Sequence, residues 1–488
     1  MPYQHGVRVL EQDTSVVTPV RGTAGLQVVF GTAPVNMAAD PTAAVNTPVI
    51  AYSFEEAVEK LGYSSDFASY TLCEAMYASF KLYNVSPVIF VNVLDPATHK
   101  EALTAETVSV KNLRAVWNKT GVLLSTVVVK KSSSSETALE PGTDYALSFD
   151  ASGNLRIDLL PGGSAASSTS VYVAADAIKP SLVTAANVIG ATTGSTETGL
   201  EVLRQVYPKF GMVPGLIIAP GWSQDADVAA AIAAKCEEIN GYFSCEGFVD
   251  IDCTVDGCTD YTDLLDAKET AGISSPHIMA LWPKVKVGDL ILNASAVWAA
   301  LTQRLDADND DVPNLSPSNK LLGISAAVLA DGTEVLLDQV QASTINGWGI
   351  STALNVNGWR SWGNNSAAYP DTTDPKDRWF CCRRFFSWWG NTFIQTYFDV
   401  VDDPANARLI ESVVDGENMR GNAYVAAGKC AAARIEYNES ENDAAALLDG
   451  RLTFHMFLAP YTPAEDIVCT LEFDADALAA ALSVGGES

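Results

Sequence analysis

At 488 residues the chain is too long for one compact core, and at roughly 150 residues per domain it reads as about three domains. Hydrophobic residues make up 48% and charged residues 18%, which suffices for buried cores and excludes a chain disordered throughout. Acidic residues outnumber basic ones 59 to 30, a formal net charge of −29, so the long-range field repels phosphate backbones and anionic membranes and argues against nucleic acid as a partner.

The N-terminal stretch MPYQHGVRVLEQD has no apolar leader, and no stretch nears the roughly 18 apolar residues of a membrane helix. A soluble protein made in the cytoplasm is expected. Within that stretch Val7 and Val9 alternate with polar neighbours, and Pro19 and Gly22 punctuate the residues after it. Residues 1–22 therefore read as an extended arm, with Gly6, Val7 and Val9 as pairing candidates.

A β-α-β pattern comes next. LQVVFGTAP and SPVIFVNVLDP are buried strands, SFEEAVEKLG is a helix with Ser53 as N-cap and Glu56 at its third position, and TLCEAMYASFKLY carries apolar residues at 72, 76, 80 and 83. Composition changes near residue 100: from 104 to 185 short alternating runs such as VLLSTVVVKK and NLRIDLLPGG are separated by turn signals such as EPGTDY and FDASGN. This predicts an inserted all-β module, a small sandwich. The α/β pattern then resumes with GLEVLRQVYPKFG, VPGLIIAPGW, DADVAAAIAAKCEEING and YFSCEGFVDID, which implies that residues 26–99 and 190–330 share one sheet. Near the C-terminus Ile467, Cys469, Leu471 and Phe473 alternate with Val468, Thr470, Glu472 and Asp474, the pattern of a half-buried strand.

The expected fold is mixed α/β and α+β. An arm occupies 1–22, an α/β domain 23–103 and 190–335, the β-rich insert 104–189, an α+β domain 336–463 and a C-terminal arm strand 464–488.

Chemical motifs are sparse. The nine cysteines are scattered; in the group Cys236, Cys245, Cys253 and Cys258, the pair Cys253 and Cys258, with four residues between them, falls just inside zinc-site spacing and the other pairs well outside it, so buried thiols are the expectation. RLDADNDDVPNLSP places Asp306, Asp308 and Asp310 like the first ligands of a calcium loop, but Asp311 and Pro317 stand where such a loop needs Gly and Glu. It reads as a solvated acidic turn. His5, His99, His277 and His455 show no ligand spacing, and no nucleophile elbow or phosphate loop is present. No catalytic residue, metal or cofactor is assigned.

RWFCCRRFFSWWGNTF, residues 378–393, is the one dense aromatic and basic stretch. As a helix it places Cys382, Phe386, Trp389, Phe393 and Tyr397 on one face, and Arg384, Ser387, Asn391 and Gln395 on the other. Arg378, Arg383 and Arg384 fall in its first turns, where cations oppose the helix dipole and call for an anionic partner inside or outside the chain.

HGVRVLE, VNTPVIAYS, SPSNKLLGISAAV, NGWRSWGN and the run from VVDGENMRGNAYV to FLAPYTPAEDIV, in that order, resemble the tail sheath proteins of contractile-tailed bacteriophages. The resemblance covers most of 1–100 and 190–475, with Ser316, Pro317, Ser318, Asn319, Trp362, Gly363 and Asn364 among its motif residues. One departure is Asn365-Ser366, where the family tends to carry Arg-Thr after WGN. The resemblance implies hexameric rings stacked around a tail tube, terminal arms that add strands to a neighbour's sheet, and contraction from a metastable state that drives the tube through a host envelope for genome ejection. It also implies as partners other copies of the chain, the tube, baseplate and tail terminator proteins, and no small-molecule substrate; the place is the virion tail, assembled in the host cytoplasm. On this reading Arg378, Arg383 and Arg384 face an acidic tube, or pair with acids of their own or a neighbouring chain. A capsid-less contractile injection system shares the same pattern. A β-rich surface adhesin is the rival from a different class.

Overall fold

A computed structural model of the chain describes residues 20–21 and 23–482, so Gly6, Val7 and Val9 of the expected N-terminal arm lie outside the described residues. The architecture is mixed α/β. Eight strands form the central sheet, in the order Trp359–Trp362, Ile350–Asn355, Ile278–Leu281, Glu246–Asp250, Leu216–Ile218, Gln27–Gly31, Val88–Asn92 and Val49–Ala51. The inner six run parallel and each edge strand runs antiparallel to its neighbour. Strands from both sides of the insert thus lie in one sheet. That sheet also takes in residues 350–362, and so runs past residue 335, where the sequence pattern placed a boundary.

The inner strands are buried on both faces, as parallel strands covered by helices require. Strand Glu246–Asp250 shows how the two layers divide. Gly247 lies against Ile232 and Cys236 of helix Ala226–Glu237. Its neighbours Glu246 and Phe248 point the other way, to Ser387 and to the Phe380 ring at 5.3 Å, both on helix Phe380–Tyr397. Helix Phe54–Leu61 starts as its sequence implies: the Ser53 hydroxyl accepts from Glu56 N, while the Glu56 carboxylate accepts from Tyr52 N at 2.8 Å. In TLCEAMYASFKLY the helix Thr71–Met76 passes into a π-helical turn, Tyr77–Leu82, that keeps Leu72, Met76 and Phe80 buried.

Between residues 106 and 174 the chain forms six strands and one short 3-10 turn, Leu124–Thr126. Six strands form a single order rather than two separate sheets, and close on their own core around Trp117, Tyr145, Ile157 and Val173. The chain enters by Lys100–Ala102 and leaves by Asp176–Ile178, and these two strands pair antiparallel. Residues 179–189, expected to be part of the β module, instead return to the main core through Val183 and Val188. Eight cysteines are buried free thiols and Cys469 is exposed. Among the described residues no helix is long and apolar enough to cross a membrane.

Because entry and exit strands lie side by side, replacing residues 103–175 by an Asn-Gly turn needs no movement of the central sheet. Circular dichroism of that deletion should show a cooperative melt within a few degrees of the parent's; loss of the helical signal would show that the insert is integral to the core.

Candidate functional site

The family-motif residues, distant in sequence, meet at one junction. The hydroxyl of Ser361 donates to the carbonyl of Pro317 at 2.5 Å, Asn319 N donates to Ser361 O, and Gly363 N donates to the Ser318 hydroxyl at 3.0 Å. Gly363 has φ +141°, and a side chain there would meet Ser351. The Ser316 hydroxyl donates to Asn364 Oδ1 at 2.6 Å. Trp362, in the edge strand, pairs with Thr352. The same loop caps the aromatic helix: Phe380 N donates to the backbone carbonyl of Asn364 at 3.0 Å, supplying the cap that the side chain of Trp379 does not.

This junction holds the root of the C-terminal segment. Glu465 accepts from Asn364 Nδ2 at 3.3 Å and from Arg378 Nη2 at 3.1 Å. Arg378 also donates from Nε to Asn365 Oδ1 at 3.0 Å and stacks 4.0 Å from the Trp379 ring. Asn365, the position that departs from the family pattern, therefore receives a guanidinium supplied from elsewhere in the chain.

The other two arginines are engaged internally as well. Arg383 pairs with Asp377 at 3.1 Å. Arg384 pairs with Asp306, and the two side chains are 1% and 0% exposed. For Arg384 this excludes the tube-facing alternative and leaves the other one read from the sequence, a pair with an acid of its own chain. Burial works against its charge, and the Asp306 carboxylate more than offsets that, holding the guanidinium firmly protonated. Two more residues of the polar face turn inward, Ser387 donating to Glu246 at 2.6 Å and Asn391 Nδ2 donating to Ser244 O at 2.6 Å, while Gln395 stays exposed.

The acidic turn after Asp306 is the second root. Asp311 Oδ1 accepts from the backbone N–H groups of Thr23 and Ala24, each at 2.8 Å, where the chain emerges from its N-terminal segment. Lys429 donates to Asn309 Oδ1 at 2.7 Å and reaches Asp310 at 3.2 Å, fixing the start of strand Cys430–Tyr437. Asp306 and Asp308, expected to be solvated, lie on the last turn of helix Ala294–Asp308, and Asp306 is buried. Among the described residues no group of His, Cys, Asp and Glu side chains is placed to hold a metal.

Strand Cys430–Tyr437 pairs with Phe454–Pro460 in a two-stranded sheet. Its far edge is covered by helix Ala407–Ala426: Asn418 exchanges hydrogen bonds with Ile435 N and O, and Gly421 sits so close to Ala433 O that a Cβ would come within 2.2 Å. The Phe454–Pro460 edge has no strand partner among the described residues. From Tyr461 to Asp474 the chain has no regular structure, so the expected half-buried strand is absent. Both faces are exposed: Ile467 85%, Val468 78%, Leu471 91% and Phe473 80%, with Cys469 exposed too. A strand needs a partner, and this segment has none among the described residues of its own chain.

At the carboxyl ends of the parallel strands, where open α/β sheets bind ligands, two buried carboxylates are closed by structural bonds. Asp250 accepts from Ser295 N at 2.9 Å, and Glu74 accepts from Asn293 N at 2.8 Å and Nδ2 at 2.7 Å. Burial pushes the Glu74 carboxyl up to about 7.

No protein-family model matches the chain. The tail sheath protein of Burkholderia phage BcepMu is 27% identical over 498 residues, covering 98% of both chains. That of Escherichia phage P2 is 26% identical over 58% of this chain and 69% of its own. The chain resembles contractile tail sheath proteins along its whole length. Solved structures agree in fold: a chain of the anti-feeding prophage baseplate has a TM-score of 0.58 at 14% identity, covering 97% of this chain and all of its own. A contracted sheath complex of an extracellular contractile injection system has a TM-score of 0.57 at 13% identity, covering 98% and 99%.

Replacing Arg384 by Met leaves the Asp306 charge buried without a partner and should cost about 3–5 kcal/mol in urea denaturation. Adding Asp306→Leu should recover most of that loss; a double variant no more stable than Arg384→Met would contradict the pairing.

Proposed function

We propose that the chain is the sheath subunit of a contractile phage tail. Its copies form hexameric rings stacked around a tail tube, between baseplate and tail terminator proteins. Contraction from a metastable extended state then drives the tube through the host envelope for genome ejection. The observation that carries this reading is the segment from Asp466 to Asp474, strand-patterned yet exposed on both faces, leaving a chain that also presents an open strand edge at Phe454–Pro460. Nine extended residues reach at most about 30 Å, enough to bridge to an adjacent subunit. Backbone hydrogen bonds donated along an edge hold a neighbour without fixing the angle between bodies, so subunits can rotate and slide while remaining linked. The N-terminal arm, with Gly6, Val7 and Val9, is assigned the same task.

The likeness in sequence to a phage tail sheath protein over 98% of the chain supports a place in the virion tail, and assembly is assigned to the host cytoplasm. Work is done by interfaces that improve on contraction, with no nucleotide and no small-molecule substrate. The β insert, closed on its own core, is assigned to the outer surface.

Negative-stain electron microscopy of the purified chain, beside a chain ending at Ala464, tests the reading. The full chain should form rings or striated tubes and the shortened one should stay monomeric; tubes from both would sink the strand-exchange account.

A further inference from the structure

Beyond the open strand edge lies a surface that backbone pairing leaves unexplained. The aromatic helix Phe380–Tyr397 and the sheet face of Phe454–Pro460 stand apart, leaving an apolar groove of about 520 Å³. Phe386, Trp389 and Phe393 line one wall, and Ile435, Phe454 and Met456 line the other. Arg451, three residues before Phe454 in the chain, also lines the groove and makes no ion pair among the described residues. A groove of this chemistry takes an apolar helix or strand flanked by acids.

The chain carries such an element. Helix Ala475–Leu482, sequence ADALAAAL, has no buried residue, and Leu478 and Leu482, one turn apart on one face, are 47% and 69% exposed. It begins under a cap from Asp474, whose carboxylate accepts from Ala477 N at 2.8 Å, and carries Asp476 in its first turn. Within its own chain the helix does not enter the groove: none of residues 475–482 lines it and none is buried.

We propose that helix Ala475–Leu482 of a second copy seats Leu478 and Leu482 in this groove, clamping the arm that precedes it. The proposal rests on the strand-exchange reading above and assigns a role to the helix that succeeds the strand. An arm strand added antiparallel to Phe454–Pro460 ends beside Phe454. That register carries Asp474 and Asp476 to Arg451, so opposite charges meet at the groove mouth, and it delivers the helix where the apolar walls begin. Strand pairing alone is sequence-tolerant, whereas two leucines between three aromatic rings and Met456 fix the register of the arm. The helix is thus the specificity element and the strand is the tether.

Disulfide trapping in the full chain tests this, in a Cys469→Ser background that removes the exposed native thiol. Assembled protein carrying Leu478→Cys with Met456→Cys should give a ladder of cross-linked oligomers on oxidation, absent from either single variant. Leu478→Asp with Leu482→Asp should fold as the parent does, since both sites are exposed, and should raise the concentration needed for assembly at least tenfold. Tubes that form equally well with both aspartates and give no cross-link would overturn the groove assignment while leaving strand exchange intact. Cross-linking of Met456→Cys to Val9→Cys instead would give the groove to the N-terminal arm and overturn it too. Assembly of the chain ending at Ala464 would remove the underlying reading, and the inference with it.

Discussion

The buried pair of Asp306 and Arg384 is the constraint on which the rest of the chain is built. Two full charges without solvent must meet each other, and their meeting fixes helix Ala294–Asp308 against helix Phe380–Tyr397. With that crossing set, the turn from Asn309 to Asp311 stands where it can hold two further elements. Asp311 takes the backbone emerging from the N-terminal segment, and Asn309 and Asp310 take Lys429 at the base of the two-stranded sheet. Just before the aromatic helix, Arg378 takes Glu465 at the root of the C-terminal segment. Both roots are therefore fastened to one rigid group, and the C-terminal segment beyond Glu465 is left for use elsewhere.

This division suits a subunit that must stay linked while it moves. The sheet core, buried on both faces and tied by hydrogen-bonded carboxylates, has no means of yielding by degrees. Residues 466–473 have no such ties among the described residues, and their apolar side chains gain by burial when a second molecule supplies the surface. On the proposed strand-exchange reading, force applied to an arm passes through Glu465 and Asn364 into the motif junction, then into the edge strand Trp359–Trp362. The family-motif residues thus lie on the path between arm and core.

Much of this is legible in the sequence, and the failures have physical causes. The parallel strands announce themselves as continuous apolar runs, and the insert by its change of period and its turn residues. The Ser53 cap is read directly from SFEE. The polar side of the aromatic helix misleads, because a helix packed between a sheet and a hairpin buries both faces, and Arg384, Ser387 and Asn391 are polar groups turned inward to specific partners rather than a solvent face. The run LDADNDD reads as a solvated turn; only its closeness in space to Thr23, Arg384 and Lys429 makes it a clasp, and single-sequence patterning carries no information on such long-range pairs. The C-terminal alternation reads as a half-buried strand; period-two patterning says which residues want burial, and nothing about which molecule provides it.

Hydrogen–deuterium exchange, followed by mass spectrometry in the purified subunit and in its assembled form, addresses the central claim most directly. Amides from Asp466 to Asp474 should exchange freely in the subunit. On assembly they should slow at least tenfold together with those of Phe454–Pro460, while the central sheet stays unchanged. Assembly that leaves the 466–474 amides fully exposed would contradict the account, because the segment would then have found no strand partner in the neighbouring chain.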